Sequence, residues 1–175
     1  MSNHSRVPKE HHHYILYLEP HSTSVIPTTT AIMAESNTIL ITAGPFQFLA
    51  AFSADAPKTV ALFRTLLPYK QKIIHTRWSG EGMWIPLGKT DFGLKYENHT
   101  AHPSPGQILL YPGGISETEL LFAYGGVAFA SKMGMLAANH FLTATEGMEN
   151  LRALGEMVLW KGAQDILFEV ADEEV

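Results

Sequence analysis

The chain has 175 residues, of which 46% are hydrophobic and 17% charged, with a formal net charge of −5 and no cysteine. That length suits one domain with an ample core. The scattered Lys and Arg residues form no basic face, so nucleic acid is excluded as an expected partner. No run of about 18 apolar residues offers a membrane span, and a chain without cysteine has neither disulfides nor thiolate chemistry. A cytoplasmic location is the default expectation.

Residues 1–36 read as a poorly ordered or loosely packed extension. They are polar at the start, carry the run His11–His13, and continue into the Ser/Thr-rich HSTSVIPTTT, with too little periodic apolar content for a core element. The apolar patch Tyr14–Leu18 is shorter than the h-region of a signal peptide, about 7–15 residues. Met33 opens MAESNTILITAG and would serve as an alternative start. The histidine run is expected to be a solvated tail with adventitious nickel or zinc affinity.

From Asn37 onward short strands dominate. TILIT (38–42) and FQFLAAF (46–52) flank Gly44-Pro45 as a hairpin, with Phe46, Phe48, Ala50 and Phe52 on one face. A helix follows, with Asp55 as candidate N-cap, Pro57 in its first turn and Val60, Phe63 and Leu67 on a stripe. It ends before Pro68. Further strands are expected at KIIHTR (72–77), GMWIPL (82–87), QILLYP (107–112), ELLFAYG (119–125), EMVLWK (156–161) and QDILFEV (164–170). A second helix is expected at 147–154, capped by Thr145 or a neighbour and stopping at Gly155. Many short strands with two isolated helices point to a barrel with helices closing its ends.

Two segments carry a family resemblance. ADAPKTVALFRTLLP (54–68) resembles the first helix of cyclophilins, and TEGMENLRAL (145–154) resembles the second, in matching order and spacing. The resemblance covers residues 37–170 and implies a closed or nearly closed cyclophilin-like β-barrel with two short capping helices, occupying residues 37–175. The segments IIHTRWSGEGMWIPL, PSPGQILLYPGG and ELLFAYG resemble an uncharacterised branch of that class, a DUF3830-like domain, more than the prolyl isomerases. By resemblance Arg77 stands where cyclophilins place the arginine that holds the substrate carbonyl. No Phe precedes it in a Phe-His-Arg motif, and Gly80-Glu81-Gly82 puts a carboxylate where cyclophilins have an amide.

The densest chemistry lies in HTRWSGEGMW (75–84), with a base, a fixed cation, a carboxylate and two tryptophans within ten residues. On a strand running to Arg77, His75 and Arg77 point to one face. Arg77 would anchor a carboxylate or amide through its planar fork. A desolvated Glu81, or His75, would move a proton. Trp78, Trp84, Tyr124, His140 and His99 are the candidate substrate-binding residues. The competing reading makes the tryptophans core and Arg77–Glu81 an ordinary ion pair.

His99 and His102, with His75 and His140, could hold a metal on paper. No metal-site spacing supports it, so neither a metal nor a cofactor is expected. The Gly-, Ala- and Met-rich stretch 122–141 reads as a lid over an apolar pocket or as a buried subunit contact. The leading expectation is a small-molecule-binding protein with a carboxylate- or amide-bearing ligand and, as its finer form, a cofactor-independent isomerase, lyase or hydrolase acting by acid/base chemistry. The alternatives are a peptidyl-prolyl isomerase or proline-peptide binder, and a non-enzymatic self-associating module forming a homo-oligomer.

Overall fold

The computed structural model describes residues 36–171. Apart from Ser36, the expected N-terminal extension, the alternative start and the histidine run lie outside these residues. The hairpin appears as β1 (Thr38–Ala43) and β2 (Phe46–Phe52). Ile39, Ile41 and Ala43 alternate inward on one strand and Phe48, Ala50 and Phe52 on the other, the period of two that a half-buried strand requires.

The helix α1 (Pro57–Leu66) comes next, followed by β3 (Tyr69–His75), β4 (Gly80–Pro86), β5 (His99–Thr100), β6 (Gln107–Tyr111) and β7 (Glu119–Val127). The small strands β8 (Ala130–Ser131) and β9 (Gly134–Met135) precede β10 (Ala138–Glu146). A single 3-10 turn, Met148–Asn150, leads into α2 (Leu151–Lys161), and β11 (Gln164–Val170) ends the fold.

The strands pair in the order β2-β1-β11-β3-β4-β7-β6-β10, and β10 returns to β2. All pairings are antiparallel, so eight strands close a barrel that leaves no edge within it; β5 adds to β10 outside the cycle. Phe63 of α1 closes one end, its ring 4.8 Å from Phe141, 5.3 Å from Phe168 and 5.8 Å from Tyr69. The stripe Leu151, Leu154 and Val158 of α2 closes the other.

Asp55 does not cap α1. Ala56 holds the N-cap position, and the carboxylate of Glu97, far along the chain, accepts from the Thr59 backbone N–H and hydroxyl. Fully buried Asn139 locks that arrangement. Its amide donates to Thr59 Oγ1 and to the Lys95 carbonyl, each at 3.0 Å, while its oxygen accepts from Glu97 N.

Three expectations about elements are corrected. The segment 156–161 is not a strand but the second half of α2, which runs straight through Gly155. Glycine is tolerated there because the ring of Tyr124 lies in the space a Cβ would need. The second helix therefore begins later and ends later than 147–154, and Thr145 donates to the Leu49 carbonyl instead of capping it. Finally, β10 occupies part of the stretch 122–141 expected to be a lid or contact. Its alternation is broken by register shifts between His140 and Leu142 and between Ala144 and Glu146, which hides a strand from a period-two reading.

Outside the barrel, residues 127–138 fold back over the wall formed by β6, β7 and β4. Phe129 is fully buried between Tyr111, Leu109, Leu121 and Leu136, making a second apolar cluster against which Trp84 packs. The apolar residues of this segment are thus consumed within the chain, with Met133 and Met135 left facing outward.

Candidate functional site

Strand alternation divides the segment 75–84 between two places. The outward positions of β4 are Gly82 and Trp84, while Met83 and Ile85 enter the barrel core. β3 ends at His75, so Arg77 lies beyond the strand in the turn and does not share a regular face with His75, contrary to the expectation from a longer strand.

His75, Glu81 and Tyr124 gather at the barrel end covered by α2. The His75 ring bonds the Thr76 carbonyl through Nδ1 at 2.7 Å, so that nitrogen carries the proton and Nε2 accepts from the Tyr124 hydroxyl at 2.8 Å. Burial raises the Tyr124 phenol above its ordinary range, with the nearby Glu81 charge adding to the shift. Glu81 accepts from the Gly126 backbone N–H at 2.8 Å and from Arg152 at 3.0 Å. The first of these bonds, then the arginine, holds its carboxyl below the usual range, the reverse of the raised value expected for a desolvated acid. Gly125 makes room for it, since a Cβ there would sit on the Glu81 carboxylate. Glu81 is ion-paired as one reading expected, but its partner is Arg152 and not Arg77.

Arg77, Trp78 and Trp84 line a different feature. A cavity of about 360 Å³ runs along the outer face of β4, walled by these residues together with Glu117 and Glu119, and roofed by Ala130–Lys132. Ser79 anchors the roof. Its hydroxyl donates to the Ala130 carbonyl and accepts from the Ala130 N–H. Trp78 is 61% exposed at the rim, so it is not core.

Glu119 is the residue sequence reading missed. It stands opposite Pro86 on β4 and Tyr111 on β6, in phase with Leu121 and Ala123 on the covered outer face. It is only 7% exposed, and its carboxyl has no hydrogen bond or ion pair among the described residues. Burial, reinforced by the charge of Glu117, pushes its carboxyl up to about 8. The indole N–H of Trp84, in the same wall, is buried without an acceptor. Buried polar groups in folded proteins are overwhelmingly paired, and the Glu119 carboxyl and the Trp84 indole N–H are exceptions on this wall. The sequence signal was a lone carboxylate in register with an apolar alternation. Its meaning depended on the outer face being covered, which no local pattern announces.

The remaining candidates lie elsewhere. His140 bonds Thr143 Oγ1 at 2.7 Å and sits beside Asn98, its basicity lowered by burial, outside the cavity. His99 is exposed beside the Tyr96 ring, 5.3 Å away. Among the described residues no three His, Asp or Glu side chains converge as metal ligands, and no helix is long and apolar enough to cross a membrane.

Solved structures share the fold, among them the following two. McbB in complex with tryptophan matches with a TM-score of 0.59 at 20% identity, over 78% of this chain and 46% of McbB, so the chain spans less than half of that protein. The hypothetical protein AF2241 from Archaeoglobus fulgidus matches with a TM-score of 0.53 at 18% identity, over 78% of this chain and 96% of AF2241. No curated protein matches the sequence. The family model described as "Protein of unknown function (DUF3830)" covers residues 39–170, the whole barrel from β1 to β11, and the chain belongs to that family.

Proposed function

We propose that the protein binds a small molecule bearing a carboxylate or amide in the groove along β4, and that Glu119 serves there as the proton-carrying group. The observation that supports this most directly is the unpartnered carboxyl of Glu119 in one cavity with Arg77 and the Trp84 ring. The volume is within the range of small-molecule sites. Arg77 has no ion pair among the described residues and offers a free fork to an anionic or carbonyl group. A carboxyl poised near neutral pH suits general acid/base work. The proton-moving role expected of Glu81 fits its surroundings less well, since its carboxylate is held ionised. The His75–Tyr124 pair, hydrogen-bonded to each other, remains a second candidate for proton movement at the α2 end. McbB, which shares the fold over 46% of its length, is in complex with a small molecule, tryptophan.

The test is a thermal-shift series with small carboxylates and amides. A saturable rise in Tm with one class, lost in Arg77→Ala, is the expected result. Equal shifts in the variant would remove Arg77 from the site, and no shift with any member of either class would overturn the reading.

A further inference from the structure

The antiparallel register between β4 and β7 fixes how the groove's charges are laid out. Gly80 pairs with Val127 at one end and Pro86 with Glu119 at the other. The strand between them spans roughly 20 Å at about 3.3 Å per residue. Arg77 enters the groove from the turn before Gly80, so its backbone belongs to the first end, while Glu119 and Glu117 belong to the second. Trp84 lies between, opposite Leu121, and supplies the apolar wall. The groove therefore carries Arg77 at one end and two carboxyls at the other, where Lys132 of the roof offsets one of them, with an aromatic floor in the middle.

Resting on the reading that this groove is a small-molecule site, we infer that its ligand is an elongated amphoteric molecule. A protonated amine sits at Glu119, a carboxylate at Arg77, and an apolar or peptide spacer runs past Trp84. Allowing for the reach of the two side chains, the charged ends of the ligand stand roughly 10 Å apart, about the span of three extended residues. An α-amino acid is too short to touch both.

A carboxyl that is neutral in the free protein must ionise to hold an ammonium group, so binding releases a proton at neutral pH. Facing Glu119 from the packed elements are Tyr111 on β6, Glu117 in the turn before β7, Lys132 in the roof and Arg77 across the groove. Of these, Glu117 is the charge that raises Glu119.

The full chain is titrated calorimetrically at pH 7 with 8-aminooctanoate in two buffers of different ionisation enthalpy. The expected result is saturable binding with release of close to one proton. Binding should be at least about tenfold weaker for 4-aminobutyrate, which is too short, and for octanoate, which lacks the amine; tenfold corresponds to one 1.4 kcal/mol contact. Glu119→Gln should abolish proton release and bring 8-aminooctanoate down to the level of octanoate. Trialanine separates the two ligand sources: tighter binding than 8-aminooctanoate identifies a peptide, weaker binding an ω-amino acid. If octanoate or a neutral amide binds as tightly with no proton released, the amphoteric ligand is overturned and the small-molecule site stands. If no carboxylate, amide or amphoteric probe binds, both fall.

Discussion

The two surfaces to which the segment 75–84 contributes make opposite environments from similar residues. At the α2 end, every polar group of the cluster has a partner: His75 holds Thr76 and Tyr124, and Glu81 holds Gly126 and Arg152. Along the outer wall, Glu119 and the Trp84 indole have none. Both places contain a carboxylate and an arginine, yet one carboxyl is pulled below its ordinary range and the other pushed far above it. The difference lies in solvent and hydrogen bonds, not in residue type. A carboxylate given a backbone N–H and a guanidinium at a surface is satisfied, whereas one largely buried in the groove wall under the roof, next to a second carboxylate, is not. Structural polar groups are completed by the chain itself, and the incomplete ones indicate where a ligand would act.

The largest effect should come from removing the unsatisfied acid. In the unfolded chain Glu119 ionises near its ordinary value, but in the folded protein only near 8. Between those limits the native state keeps a proton that the unfolded state has lost, so stability falls as pH rises from about 4.5 to 8 and is level above that range. The accumulated penalty is of order 3–5 kcal/mol, at about 1.4 kcal/mol per pH unit. Glu119→Gln mimics the neutral acid and removes that slope. Its stability should match the parent near pH 5 and exceed it by several kcal/mol at pH 8.5, read from urea midpoints at each pH. A variant that kept the parent's slope would mean that Glu119 titrates normally and that the contrast between the two regions is false.

The barrel was legible in the sequence because its strands either alternate, as β1 does, or form short apolar runs bounded by turn residues, as β6 and β7 do. Ile39, Ile41 and Ala43 of β1 announce an inward face, whereas Leu120, Phe122 and Tyr124 of β7 share their run with Leu121 and Ala123 of the covered outer face. β10 was not, because two bulges break its phase. The end of α2 was misread for a physical reason as well: Gly155 looks like a stop signal until the Tyr124 ring that occupies its missing side chain is known. For the site, the cluster 75–84 was visible as chemistry, but its division between two surfaces depends on where β3 ends and which face of β4 is covered. Glu119 was hidden because a carboxylate on a strand's outer face is ordinarily solvated. Only the return of residues 127–138 over that face buries it.

A smaller effect tests the satisfied end. Gly155→Ala adds a methyl group where the Tyr124 ring lies, and the ring is held on its other side by the barrel and by His75. Alanine gains up to about 1 kcal/mol of helix propensity over glycine, while overpacking in a closed site costs about 1–3 kcal/mol. The net expectation is destabilisation by roughly 1–2 kcal/mol in urea unfolding, with the groove's affinity for its ligands unchanged. A neutral or stabilised variant would mean that the ring moves aside freely and that the His75–Tyr124 bond is not rigidly set.

The smallest effect concerns the exposed pair between Glu81 and Arg152, whose side chains are 44% and 60% accessible. Surface pairs of this kind contribute little to stability, so Arg152→Ala should leave the melting temperature nearly unmoved at pH 7. Its signature lies in the Glu81 titration, followed by NMR of the side-chain carboxyl. The largest single cause of the lowered value is the Gly126 N–H, which the substitution leaves in place. Glu81 should therefore return only part of the way towards an ordinary carboxyl. Because its folded value is depressed, whatever stability it contributes is present above its unfolded value and lost as pH falls through the folded one, which confines the effect to the acid side of about 4.5. A complete return in Arg152→Ala would mean that the arginine and not the backbone holds the carboxylate. The α2 end would then depend on one flexible surface side chain, and its contrast with the groove would rest on a single screened ion pair.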